Sequence, residues 1–175
     1  VVGKLIERAS RDLLVSCEAG KEDVPKSIRD WHAAHPGERL MGKARYEKPA
    51  DLQWDEQAYR GDAYACYSWA RHVAVVEVCL RTYGVTVLDY VALQEVGRVI
   101  NPVLATGQIA GGVVQGIGWA LLEEVVTADG AMKNCQMTNY IIPSCGDVPP
   151  IRVFFEELPS EFGPQGAKGI GELPM

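Results

Sequence analysis

The chain ends on FGPQGAKGIGELPM, in which Lys168 and Glu172 are the two charged residues of a glycine-paved segment. Gly163, Gly166, Gly169 and Gly171 fall within nine positions. Glycine has no side chain to hold a ligand away, so a loop of this kind lets a ligand lie against its backbone. A lone carboxylate in so sparsely charged a setting, once desolvated, suits a general base. The spacing alone equally fits an exposed terminal glutamate. The loop is not a phosphate-binding P-loop, because Lys168 is followed by Gly169 and not by Ser or Thr. It is not the dinucleotide fingerprint either, since its glycines run G-x-x-G-x-G with no helix to follow.

A second constellation lies in NPVLATGQIAGGVVQGIGWALLEE. Gln108 and Gln115 are two helical turns apart, on nearly the same face, with Gly111 and Gly112 between them. Two readings stay open. The strip could pack tightly against a neighbouring element, or it could be a platform for a flat polar ligand, because an amide both donates and accepts. The other candidates are weaker. His32 and His35, with Glu38 nearby, sit beside a helix stop and read as a solvated pair, not a metal site. His72 stands alone in a strand and reads as structural. The adjacent pairs Glu123-Glu124 and Glu156-Glu157 point in different directions and form no acid/base dyad. Cys17, Cys66, Cys79, Cys135 and Cys145 are an odd, widely spaced set without a C-x-x-C, the pattern of reduced thiols.

These residues need elements to position them. The opening VVGKLIERASRDLL places Val2, Leu5, Ile6, Ala9, Leu13 and Leu14 on one helical face. From Glu18 to Asp62 the chain carries 18 of its 40 charged residues, read as loops around a short helix in VPKSIRDWHAAH that stops at Pro36-Gly37. YSWARHVAVVEVCL and GVTVLDYVALQEV, joined by RTYG, predict an antiparallel hairpin. Both of its faces are apolar, so its strands are expected well inside a sheet. A helix is expected from about Leu104 to Val126, a tight hairpin at Asp129-Gly130, and a strand at IRVFFEEL. The order of elements favours an α+β fold with antiparallel or mixed strands and one long glycine-rich helix.

At 175 residues, with 47% hydrophobic residues and a net charge of -6, the chain has the composition of a globular domain. The acidic balance, with no basic cluster, argues against nucleic acid as a partner. The 24-residue uncharged run from Val99 to Leu122 is long enough to span a bilayer. Its amides and glycines oppose that reading. With no initiator methionine or secretory signal, and with a start inside a helical pattern, the chain reads as a cytoplasmic fragment truncated at both ends.

Taken in order, EVGRVINPVLATGQIAGGVVQGIGWALLEEV, NYIIPSCGDVPPI and FGPQGAKGIGELP resemble the molybdenum-binding large subunit of the xanthine dehydrogenase and aldehyde oxidase family. GDAYACYSWARHVAVVEV resembles the strand preceding them. The resemblance runs from about Gly61 to Met175 and is weak before that. It implies one molybdopterin-binding domain, with residues 1–60 a variable helix and loops and 61–175 the family-like core. It also implies a molybdenum hydroxylase that oxidises an N-heterocycle or aldehyde with water-derived oxygen. Glu172 falls on the family's catalytic glutamate, the general base, and Gln108 on its cofactor-contacting glutamine. Gly107, Gly111, Gly112, Lys168 and Gly169 are then expected beside the molybdopterin, with no protein side chain as metal ligand. Iron–sulfur and flavin subunits or domains, a small-molecule substrate and an oligomer follow from the same resemblance. Glu95 stands where the family usually has aspartate, and Leu173 where many members have proline. By itself this piece is expected to hold the cofactor poorly and to turn over nothing. The alternative is a non-catalytic binding or assembly module that keeps the scaffold without molybdenum.

Overall fold

The computed structural model describes residues 2–18 and 23–175, which fall into two compact units. The first takes in the chain up to Cys66 together with Ser160–Gly166; the second comprises Tyr67–Pro159 and Ala167–Met175. The glycine-paved terminal segment is therefore divided, its first part in one unit and the part bearing Glu172 in the other.

In the first unit α1 (Val2–Ser16) is the expected amphipathic helix, with Glu7 bridging Lys4 at 3.3 Å and Arg11 at 2.5 Å one turn to either side. The chain near Gly42 crosses α1 so closely that a Cβ there would lie 1.9 Å from the Ala9 carbonyl oxygen. Asp12 accepts the Lys43 backbone N–H at 2.8 Å beside this crossing. α2 (Val24–Ala34) starts at Asp23, whose carboxylate accepts the Lys26 N–H at 2.9 Å, and carries Pro25 in its first turn. It stops where expected, at Pro36 and Gly37, the latter at φ +89. β1 (Trp54–Asp55) and β2 (Arg60–Gly61) form a short antiparallel pair.

The second unit is a three-stranded sheet under one helix. β3 (Trp69–Val78) and β4 (Val85–Glu95) form the expected antiparallel hairpin. The chain then runs through α3 (Pro102–Leu121) and the small hairpin of β5 (Thr127–Ala128) and β6 (Ala131–Met132). It returns as β7 (Ile151–Glu156), parallel to β4. A parallel pair cannot be closed by a tight turn, so the crossover carrying α3 is what permits it. The sheet is mixed, in the order β3-β4-β7, and the architecture is α+β.

The core forms where α3 lies on the sheet. Ile109, Val113 and Ile117, at i, i+4 and i+8, meet Ala92, and Tyr90, Ile151, Val153, Phe155 and Ile170 pack around them. Register slips between Val75 and Val76, leaving Leu88 without a cross-strand partner. Val87 packs on the core while Leu88 is exposed, as expected of a bulge that re-aims the strand.

Two expectations are corrected. β3 does not lie well inside the sheet; it is an edge strand, and Val73, Val75, Val76 and Val78 remain 45–60% exposed. Its pairing reaches β4 alone, so an apolar sequence on both faces is not matched by cover on both faces. The glycine-rich helix ends at Leu121 and not near Val126. The backbone N–H groups of Leu122 and Glu123 both close on the Gly118 carbonyl at 2.9 Å, and Gly118 is held against Pro143. Among the described residues no helix is long and apolar enough to cross a membrane.

Candidate cofactor site

α3 begins at Asn101, whose side chain accepts the Leu104 N–H at 3.1 Å, with Pro102 as its first residue. Glycine in a helix interior costs about 1 kcal/mol relative to alanine. The five glycines of α3 divide by what faces them. A Cβ on Gly112 would meet the Pro174 ring at 2.6 Å, and one on Gly116 would lie 3.3 Å from the Met175 backbone. On Gly118 it would meet Pro143 at 2.7 Å. Those three glycines admit close packing of the chain on itself. Gly107 and Gly111 have nothing within 4 Å of a Cβ, and they lie with the exposed Gln108 and Gln115 on an open strip of the helix. The packing reading of the glutamine–glycine pattern holds at Gly112 and Gly116, while Gly107, Gln108 and Gly111 lie on an open strip that leaves room for a ligand.

The terminal loop is fastened at several points. Ala167 makes a bridge with Gly97, and the Lys168 N–H donates to the Val96 carbonyl at 2.8 Å. Ser68 donates its hydroxyl to the Gly169 carbonyl at 3.1 Å. Ile170 packs on the core, and Pro174 is fully buried against Gly112. Glu172 stands between these anchors, exposed, its own carbonyl accepting the Met175 N–H at 3.2 Å. The desolvated setting considered for this carboxylate is not supplied by the described residues.

The side chain of Lys168 turns inward. Its ammonium donates to Glu95 at 2.7 Å and to the Tyr67 carbonyl at 3.0 Å, and its side chain is only 12% exposed. The other oxygen of Glu95 accepts the Gly97 N–H at 2.8 Å. Of the residues expected beside a cofactor, then, Gly107, Gln108, Gly111 and Gly169 present open surface. Gly112 is covered by Pro174, and the Lys168 ammonium is engaged by the protein itself. Glu95 was not singled out for a role in the sequence. The available signal was an acid closing a mostly apolar strand, seven residues before a proline-started helix.

The remaining candidates resolve locally. His35 stacks on Trp31 with ring centroids 4.5 Å apart, and its Nδ1 lies 2.9 Å from the Trp31 carbonyl; His32 meets the same ring edge-on. No cluster of metal-binding side chains occurs among the described residues. His72 is part of a network on the α3 side of the sheet. The Gln94 amide nitrogen lies 2.6 Å from His72 Nε2 and the Tyr90 hydroxyl 3.1 Å from its Nδ1.

Comparison with known proteins identifies this arrangement. Residues 3–149 match the family described as the molybdopterin cofactor-binding domain, so the likeness reaches well upstream of Gly61, where the motifs alone placed its start. The gamma subunit of the 6-hydroxypseudooxynicotine dehydrogenase complex of Paenarthrobacter nicotinovorans is 38% identical over 97% of this chain and 23% of its own length. The xanthine dehydrogenase molybdenum-binding subunit of Escherichia coli O157:H7 is 34% identical over 52% of this chain and 12% of its own. Among solved structures, the aldehyde oxidoreductase of Desulfovibrio gigas superposes with a TM-score of 0.79 at 25% identity, over 99% of this chain and 19% of that one. Quinoline 2-oxidoreductase of Pseudomonas putida 86 gives 0.66 at 30% identity over 95% of this chain and 23% of that one. The chain spans less than a quarter of the length of these relatives. It belongs to the molybdopterin cofactor-binding domain family of the xanthine dehydrogenase and aldehyde oxidoreductase large subunits.

Proposed function

We propose that this chain is part of a molybdenum hydroxylase that oxidises an N-heterocycle or aldehyde, with Glu172 as its general base. The residues present fit a flat, hydrogen-bonding cofactor. The open Gly107 and Gly111 positions leave room along α3, and the exposed amides of Gln108 and Gln115 can donate and accept along the same strip. A bound molybdopterin would supply the redox chemistry, accepting the hydrogen of the substrate C–H bond together with its two electrons. The protein's own part is orientation and proton transfer. Gln108 holds the cofactor's polar edge. Glu172 accepts the proton of the water-derived oxygen as it adds to the electron-poor carbon, so that a C–H bond is replaced by C–O. The observation that carries the reading is the placement of Glu172: an exposed carboxylate on a loop anchored both to the end of β4 and, through Pro174, to α3.

A relative named as a complex subunit favours a multi-subunit assembly for the full-length protein. Iron–sulfur and flavin components, an oligomer and a cytoplasmic setting are part of the same proposal and rest on the sequence resemblance alone. The test is Glu172→Gln in the full-length protein. Loss of a base is expected to lower turnover by roughly 100- to 10,000-fold, with molybdenum content unchanged. Retained turnover removes Glu172 from the mechanism. Absence of molybdenum from the unsubstituted protein, purified from a host that loads other molybdenum enzymes, favours the non-catalytic scaffold instead.

A further inference from the structure

Glu95 and Lys168 form a nearly buried ion pair, with side chains 5% and 12% exposed, at the root of the loop that carries Glu172. The two contacts of the Lys168 ammonium tie distant chain segments together, and the Glu95–Gly97 contact fixes the carboxylate locally. Glu95, at the end of β4, accepts from Lys168 with one oxygen and from the Gly97 N–H with the other. Lys168 also donates to the carbonyl of Tyr67, just before β3 begins. The backbone joins at the same place, through the Lys168 N–H to Val96, the Gly97–Ala167 bridge and the Ser68–Gly169 bond. Beyond this point Gly169 and Gly171 offer no side-chain packing, and a Cβ on either would meet nothing within 4 Å.

A glycine-rich segment has little stiffness of its own, because glycine loses more conformational freedom on ordering than any other residue. The direction in which Glu172 leaves the sheet is therefore set by the loop's anchors: what holds Lys168, the packing of Ile170 on the core, and Pro174. A buried pair of this kind contributes little net stability against an apolar replacement, whereas removing one partner leaves an uncompensated charge. Specific placement is the better account of its presence.

We propose that the Glu95–Lys168 pair is a pin that positions Glu172, and that Lys168 acts on the loop from within the protein and does not contact the cofactor. The proposal rests on the reading of Glu172 as the base and adds two positioning residues to it. Lys168→Met and Glu95→Gln are made singly and together in the full-length, cofactor-loaded enzyme. Amide exchange across Ala167–Met175, kcat, KM, molybdenum content and thermal stability are measured for each. Misplacement of a reacting group by about 1 Å costs about 100-fold in rate. The single variants are expected to exchange these amides at least about tenfold faster and to lose about 10- to 100-fold in kcat. KM should stay within about twofold and molybdenum should be retained.

The double variant separates positioning from stability. With both charges gone, thermal stability is expected to recover toward the unsubstituted value, while kcat and fast loop exchange do not. Recovery of kcat together with stability overturns the pin, as do single variants with unchanged exchange and kcat. Where Lys168→Met does not fold, Glu95→Asp keeps the charge and shortens the pin by one methylene. It is expected to give intermediate exchange and kcat, and unchanged values overturn the proposal. Should Glu172→Gln retain full turnover, the base reading fails by itself, and loop exchange still decides whether the pair holds the loop.

Discussion

The neighbouring glycines Gly111 and Gly112 make opposite demands, which a single methyl group can expose. Gly111 faces open space, so Gly111→Ala removes the entropic cost of a helix-interior glycine without meeting an atom. It should stabilise the apo protein by about 0.4–1 kcal/mol. If the open strip receives the cofactor, the same methyl lowers molybdenum occupancy of the full-length protein. Gly112→Ala drives a Cβ to within 2.6 Å of Pro174, on the last anchor of the Glu172 loop. It should destabilise the fold by about 1–3 kcal/mol and loosen the loop beside it. Melting curves of the two variants with molybdenum analysis check the pair, and equal effects would sink the division of α3 into an open and a packed face. Gln108→Ala tests the open strip from its polar side. One lost amide hydrogen bond, about 1 kcal/mol, should weaken cofactor retention by roughly fivefold with the helix intact. Unchanged occupancy would return Gln108 to an ordinary solvated residue.

At the scale of elements, the His72–Gln94–Tyr90 network links β3 to β4 beneath α3 and places a titratable ring between the strands. An amide nitrogen can only donate, so with Gln94 Nε2 at 2.6 Å the His72 Nε2 is an acceptor and the ring proton sits on Nδ1. Burial holds the imidazole below its ordinary value of about 6.5. As pH falls through that value the unfolded chain takes up the proton first, so the unfolded state gains. The stability held above about pH 6.5 is then lost progressively as pH drops through the folded-state value. His72→Gln should flatten the decline of Tm between about pH 7 and 5. Parallel Tm profiles for the two proteins would show that His72 contributes nothing to it. This network also marks what the sequence could carry. The β3–β4 hairpin, the Asp129-Gly130 turn and the stop of α2 at Pro36-Gly37 were legible because each rests on local chemistry: apolar β-branched runs about a glycine-containing turn, a left-handed turn residue, a proline–glycine break. The edge position of β3 was not, because an apolar run reports which residues avoid water and not which strand pairs on both sides. The Glu95–Lys168 pair spans 73 positions, and no periodicity links residues so far apart. Glu172 and Gln108 were reached through the resemblance of their motifs; their spacing alone left a loop acid and a packed helix equally open.

At the scale of the whole molecule, the buried hydrophobic core residues among those described are few: Cys17, Ala92, Val96, Ile109, Val113 and Ile117. Large apolar side chains are exposed around them, several on the elements that carry the candidate site. Val103 and Leu104 at the start of α3 are 81% and 68% exposed, Trp119 near its end is 70% exposed, and Phe154 on the outer face of β7 is 52% exposed. A scattering of exposed apolar residues is ordinary. If the chain is part of a longer protein, as proposed, a helix whose two ends both present them is a place for that protein's remaining segments to cover. Trp119 gives the sharpest test, since one substitution should have opposite weight in two contexts. In the isolated 175-residue chain, Trp119→Asp replaces an exposed ring and should change stability by no more than about 0.5 kcal/mol. In the full-length protein the same carboxylate would be enclosed without a partner, costing about 3 kcal/mol or more. Denaturant unfolding of both pairs measures the difference. If the two costs are equal and small, Trp119 faces water in the parent as well, and the open side of α3 is a surface and not the floor of a site.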